Sequence, residues 1–321
     1  MSAPLLLWRK RPLPLDWEAE FGAPGPLELE IGFGDGRYTV FRALREPETR
    51  FVGLEISGAS ILRAMRRVRD AGLGNVRIVK VSAQFALRAL FAPASLSSIT
   101  VNFPDPWPKE RHAENRLLQR SFFELAAGRL RPGGALKLAT DHPDYLAFAV
   151  GEADSSGRYA VEEAEPPEAV FETKYALKWR AQGKLLYYRR FRLVTPLANP
   201  HPNLEREAMP HAVLSGKLPE SLEFSKQVCP YADGHVILLE LCRSLGGEHG
   251  ARLLFRATVD EPDLQQGVLV AVRPKEEGGL VVSLESFGDP VITRTVKGAV
   301  HAVVTWLMAG VPGLRLEQAS Y

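Results

Sequence analysis

Two prolines bracket a lone aspartate in Asn102-Phe103-Pro104-Asp105-Pro106-Trp107-Pro108-Lys109-Glu110-Arg111-His112. Each proline fixes its own φ near about −65° and removes a backbone donor. Each also drives the preceding residue out of the right-handed helical region, so the segment reads as an extended, stiff loop. It follows Ser98-Ile99-Thr100-Val101, a β-branched run that reads as a buried strand. An acid, an indole and a lysine are thus held just past a strand end. In open parallel sheets that crevice is where ligands bind, although a proline-rich turn with a surface acid has the same local pattern.

Upstream, the chain supplies a second wall for such a crevice. Leu27-Glu28-Leu29-Glu30-Ile31 is strand-like and runs into Gly32-Phe33-Gly34-Asp35-Gly36, after which Tyr38 to Leu44 reads as helix. Strand, glycine loop and helix N-terminus together allow a ligand to approach the backbone closely. The spacing is G-x-G-x-G, not the G-x-G-x-x-G of dinucleotide sites. Glu30 and Asp35 would repel a pyrophosphate, whereas a cationic or zwitterionic ligand such as S-adenosylmethionine suits them. On this motif alone a plain βα turn stays open. Arg50-Phe51-Val52-Gly53-Leu54 is a second apolar strand, and it ends at Glu55, placed to accept both ribose hydroxyls. A third strand, Val76 to Val81, precedes Ser82-Ala83-Gln84, where adenine contacts are expected.

Taken in order, Leu29-Glu30-Ile31-Gly32-Phe33-Gly34, Gly53-Leu54-Glu55, Phe103-Pro104-Asp105-Pro106-Trp107, Ala139-Thr140-Asp141 and Thr173-Lys174-Tyr175 resemble the bacterial tRNA (guanine-N7-)-methyltransferase family. The resemblance spans residues 27–193. It implies a class I methyltransferase that uses S-adenosylmethionine on a tRNA guanosine, in the variable loop. Glu30, Gly32, Gly34 and Glu55 would hold the cofactor, with Ser82 and Ala83 on its adenine side. Asp105 would be the catalytic-loop acid. Lys109 and Asp141 would contact the guanosine, and Thr173 and Lys174 match a later substrate motif. The chain departs from the family at Ser82, where an acid or amide is usual, and at Ala176, where a glutamate is usual; Glu172 is the nearest acid to replace the latter.

The chemistry stands apart from the name. Guanine N7 carries an in-plane lone pair and no proton, so its methylation needs alignment rather than a general base. Carboxylates suit the base because its N1–H and N2–H₂ groups are donors. Asp105 and Asp141 are accordingly read as base holders and partners of a cationic transition state, not proton shuttles. Two other readings stay open: a methyltransferase acting on a different RNA base, and a catalytically weak or silent RNA-binding module on the same fold.

Charge is divided unevenly. Residues 1–195 hold 29 Lys and Arg against 23 Asp and Glu, while the remainder holds 11 against 15. A basic first part fits an RNA partner, with candidate phosphate contacts at Arg9-Lys10-Arg11, at Lys109, Arg111 and Arg116, and from Lys174 to Arg190. Cys229 and Cys242 form neither a disulfide framework nor a zinc spacing, no metal site is expected, and a reducing cytoplasm is the simplest location. No apolar run is long enough to span a membrane. Whether the chain is a monomer or a homodimer is not legible here. The expected fold is α/β: a Rossmann-like seven-stranded class I methyltransferase sheet in residues 1–195, a Pro-rich linker over 196–219, and a smaller accessory α+β domain over 220–321. That last domain is expected to have five strands and a helix over residues 295–308.

Overall fold

The computed structural model describes residues 3–173, 175–177, 185–197, 207–244, 252–275 and 277–321. The chain divides into two compact units, Met1–Leu204 and Glu205–Tyr321.

The first unit is built on β1 (Leu27–Ile31), β2 (Arg50–Glu55), β3 (Val76–Lys80), β4 (Leu96–Asn102), β5 (Leu130–Thr140), β6 (Tyr159–Glu163) and β7 (Tyr187–Leu193). Their order is β3-β2-β1-β4-β5-β7-β6. All neighbours pair in parallel except β7, which is antiparallel to both β5 and β6. The parallel strands are apolar runs because helices cover both faces. Leu29, Val52, Ile78, Ile99 and Leu136 are all buried. The helix Gly58–Asp70 shows how the sequence does this. Ser57 caps it by accepting from the Ser60 N–H, and Ile61, Ala64 and Val68 recur on the one face that is buried. Strand order reverses between β1 and β4, so the loops leaving these two neighbours open outward from the same edge.

Before β1, the chain runs back along the outer side of β3. Leu5 bridges Ile78 in parallel, the Leu6 N–H donates to the Ile78 carbonyl at 2.8 Å, and the Ile78 N–H donates to the Pro4 carbonyl at 2.8 Å. The Trp8 indole donates to the Lys80 carbonyl at 3.4 Å and packs on Phe85.

Two local expectations are corrected. Arg131-Pro132-Gly133-Gly134 reads as a loop after a helix, but the helix Arg120–Arg129 passes directly into β5, which absorbs all four residues. Gly133 sits at φ +74°, and the pairing with β4 shifts register between Leu96 and Ser98. The break is a bulge at the sheet rim, where prolines and glycines are tolerated. The second correction concerns 196–219: His211–Ser215, inside that expected linker, forms β8 of the second sheet.

The second unit is antiparallel throughout. It comprises β8, β9 (Gln227–Tyr231), β10 (Gly234–Arg243), β11 (Leu253–Asp260), β12 (Gln265–Pro274), β13 (Leu280–Leu284) and β14 (Arg315–Ala319), in the order β14-β8-β13-β12-β11-β10-β9. One face is covered by the helix Arg294–Gly310, capped by Thr293, whose hydroxyl accepts from the Val296 N–H at 3.1 Å. Val296, Ala299, Val300, Val303 and Leu307 of that helix join Phe255, Val270 and Val282 in one core. No described helix is long and apolar enough to cross a membrane.

Candidate active site

The loops after β1 and β4, with the tips of β2 and β3, enclose a cleft of about 620 Å³. Eight of the residues singled out from the sequence line it: Glu30, Gly32, Gly34, Glu55, Ser82, Ala83, Asp105 and Thr173. Lys109 and Asp141 are not in its lining; Lys109 is exposed and Asp141 is half-buried beyond β5. Lys174 lies outside the described residues.

Glu30 is the buried member, 5% exposed. The Thr39 hydroxyl donates to its Oε2, and Asn102 Nδ2 donates to its Oε1 at 3.1 Å. Burial pushes its carboxyl up to about 7, and those two bonds only partly oppose the rise. The Asn102 Oδ1 atom beside it is buried without a hydrogen-bond partner, a state that costs free energy unless a donor enters.

Glu55 is held differently. Its Oε2 accepts from the Gly34 N–H at 3.1 Å, and its Oε1 accepts from the amides of Ile56 at 2.8 Å and Ser57 at 2.9 Å. A carboxylate offers about four lone-pair sites. The fold fills three of them with backbone donors and leaves one toward the cleft. The same bonds tie the glycine loop to the tip of β2. Gly32 and Gly34 sit at φ +66° and +56°, and a Cβ on either would meet nothing within 4 Å. Glycine is needed there for backbone conformation, and the space left open belongs to the cleft.

Asp35 does not add to the negative field as the sequence suggested. Its carboxylate pairs with Arg37 at 3.0 Å and Arg67 at 3.2 Å, while Arg67 Nε also donates to the Asp35 carbonyl. The acidic character of the cleft therefore rests on Glu30, Glu55 and Asp105.

The proline loop is braced, but it is not simply extended. Phe103, the residue before Pro104, has φ +53°, and Trp107 has φ +41°. Such left-handed residues cost of order 1–3 kcal/mol each and persist only where their surroundings over-determine them. For Phe103 the causes are visible. Its N–H donates to the Ala139 carbonyl at 2.8 Å, and its ring packs on a cluster of Tyr38, Ala139, Val170 and Tyr188. The chain turns sharply there, and Asp105 is left exposed at the mouth of the cleft. Trp107, 39% exposed, faces the His112 ring at 6.0 Å.

Sequence reasoning gave no role to Thr39, Asn102 or Gly53. A Cβ on Gly53 would come within 2.7 Å of the Phe33 ring, so β2 carries glycine to admit the aromatic of the glycine loop. A glycine inside a strand is the signal that could have found it. Thr173 proves structural as well as cleft-lining: it donates to the Val170 carbonyl at 2.8 Å and accepts from the buried Ala176 amide at 3.1 Å.

A mixed seven-stranded sheet whose glycine loop and acid-bearing β4 loop meet at the switch point defines a Rossmann-like class I methyltransferase. The family described as "Putative methyltransferase" matches residues 24–188. Three proteins named tRNA (guanine-N(7)-)-methyltransferase also match, two of them over most of the chain. One from Thermus thermophilus is 46% identical over 90% of this chain and 91% of its own length. One from Deinococcus radiodurans is 44% identical over 88% and 89%. A third, from Bordetella pertussis, is 42% identical but covers 51% of this chain. This chain belongs to the tRNA (guanine-N7-)-methyltransferase family.

Proposed function

We propose that this chain transfers the methyl group of S-adenosylmethionine to N7 of a guanosine in tRNA, in the cytoplasm, with the variable-loop guanosine as its target. The observation that carries the reading is that Glu30, Glu55 and Asp105, on three different strand ends, line one cleft. The relatives whose names state this activity align over most of their own length.

The donor set fits the cofactor. Two carboxylates and an orphaned amide oxygen suit a molecule with a sulfonium, an ammonium and hydroxyl donors. Glu30 and Asn102 Oδ1 would face its cationic end, the fourth lone-pair site of Glu55 would take a ribose hydroxyl, and Ser82 and Ala83 would border the adenine. When bound, the cofactor supplies a methyl group on a cationic sulfur that leaves as a neutral thioether. A nearby positive charge would hold Glu30 ionised, since opposite charges stabilise the charged form.

The protein's own part is alignment. Asp105, exposed at the rim, accepts from the N1–H and N2–H₂ edge of the guanine and turns its N7 inward. Trp107 beside it offers a stacking face, as aromatics do for bases splayed from RNA loops. Holding the lone pair in line can supply about 7–11 kcal/mol at best. Carboxylates also stabilise the positive charge that develops on the purine. Lys109, exposed past the loop, is suited to a phosphate rather than the base. Thr173, bonded on both sides, fixes the far wall.

Titration calorimetry with S-adenosylmethionine and nucleoside analysis of a treated tRNA pool test the assignment together. Asp105→Asn is expected to lose most turnover, about 100-fold or more, while cofactor affinity stays within twofold. An unchanged rate removes Asp105 from the chemistry, and a product other than 7-methylguanosine overturns the substrate.

A further inference from the structure

The Asp105 loop is held from a distance by one side chain. Arg116 Nε donates to the Pro106 carbonyl at 3.2 Å, and its Nη2 donates to the Trp107 carbonyl at 3.1 Å. These two carbonyls flank the left-handed Trp107. The guanidinium lies 4.7 Å from the Phe148 ring centroid, which fixes its plane. Phe148 in turn packs on the fully buried Tyr145, whose hydroxyl accepts from the Leu118 N–H. The Arg116 backbone is anchored too, because its N–H donates to the Ala113 carbonyl at the end of the short helix Glu110–Asn115. The side chain therefore closes Pro106 to Arg116 into a ring, ten residues along the chain, and seats it on the helix Pro143–Ser156.

A planar guanidinium can grip two successive carbonyls at once, as a lysine ammonium with its flexible stem cannot. Its charge strengthens both bonds. Arg116 and Asp105 also meet electrostatically at Tyr145. Burial raises that phenol, the bond from the Leu118 amide and the Arg116 charge oppose the rise, and the Asp105 charge adds to it. A residue reading as a phosphate contact in the sequence is thus turned inward.

We propose that Arg116 is a positioning residue for methyl transfer: it clamps the Pro106 and Trp107 carbonyls so that Asp105 meets the guanine in the reactive geometry. The inference rests on the function proposed above. Misplacement of a reacting group by about 1 Å can cost about 100-fold in rate, and loss of the clamp frees the strained Trp107 turn to relax.

The test compares Arg116→Ala and Arg116→Lys with the wild-type full chain, using S-adenosylmethionine and transcribed tRNA. Single-turnover rate is expected to fall 10- to 100-fold in Arg116→Ala, with cofactor Kd within twofold and the slope of tRNA affinity against salt unchanged. Millimolar guanidinium should restore part of the Arg116→Ala rate, and Arg116→Lys should remain slow although it keeps the charge. An unimpaired rate in either variant overturns the clamp. So does a shallower salt slope with raised KM for tRNA, which would make Arg116 a phosphate contact. If Arg116→Ala fails to fold, Arg116→Lys decides by the same rate and slope. A wild-type chain that binds cofactor yet makes no 7-methylguanosine refutes the parent function instead.

Discussion

Replacing Glu30 by Gln should stabilise this protein at alkaline pH while weakening its grip on a cationic ligand. The carboxyl is buried, and burial lifts it from its ordinary 4.5 to about 7. Between those values the folded chain keeps a proton that the unfolded chain has released. The stabilisation is complete below pH 4.5 and drains away as pH rises through 7. At about 1.4 kcal/mol per pH decade, the full loss is about 3 kcal/mol. Glutamine stays neutral throughout and can rebuild the local bonds: its oxygen accepts from the Thr39 hydroxyl, and its amide, in place of the oxygen that accepted from Asn102 Nδ2, donates to Asn102 Oδ1 once the Asn102 amide turns over. Glu28 does not confuse the comparison. Burial alone would raise it, but Arg42 and Lys137 hold it below 4.5, so it titrates under this window. Urea unfolding of both proteins without cofactor, at pH 4 and pH 8.5, should therefore give curves that converge at the lower pH. At the higher pH they should differ by about 3 kcal/mol in favour of Glu30→Gln. Calorimetry at pH 8.5 should show the variant binding S-adenosylmethionine at least tenfold more weakly. Two curves that fall in parallel across this range would refute the assignment of the proton to Glu30.

The remaining outcomes follow from the same cleft. Glu55→Gln puts an amide N–H against at least one of three backbone donors, and hydrogen bonds to charged groups are worth about 1.5–3 kcal/mol. Cofactor Kd should rise 10- to 100-fold, read by calorimetry, and unchanged affinity would remove Glu55 from the ribose. Gly53→Ala forces a methyl to within 2.7 Å of the Phe33 ring and should cost about 1–3 kcal/mol in urea unfolding. Adding Phe33→Leu should recover part of that loss, and strict additivity of the two would sink the packing explanation.

The strands that bound the cleft were legible because they are buried on both faces. Leu27–Ile31 and Arg50–Glu55 form with the expected limits, since continuous apolar runs ending in glycine or an acid leave little ambiguity. β6 escaped because Tyr-Ala-Val-Glu-Glu is a half-exposed strand beside β7, where Glu162 and Glu163 pair with Arg189, Arg190 and Arg192. Those same pairs occupy arginines that the sequence offered to phosphates. β8 was masked by surrounding prolines, and β14 by full exposure: nothing in Arg-Leu-Glu-Gln-Ala declares a buried face. Motifs ended near residue 193, yet relatives matching some nine-tenths of this chain run through the second unit too. In the cleft, residue types gave away Glu30, Glu55 and Asp105. The bond of Asn102 to Glu30, and the turn that swings Asp105 outward, needed tertiary contacts between β1, β4 and β5.

The residues that precede β1 carry a consequence for how the molecule behaves in a crowded solution. A parallel sheet with a bare flank invites a neighbouring chain to add a strand. Here Pro4 and Leu6 already occupy the outward amide and carbonyl of Ile78, and Trp8 covers Lys80 beyond them. Shortening or displacing this strap would spare the loops around the cleft, yet bare the β3 edge as a template on which another chain could add a strand.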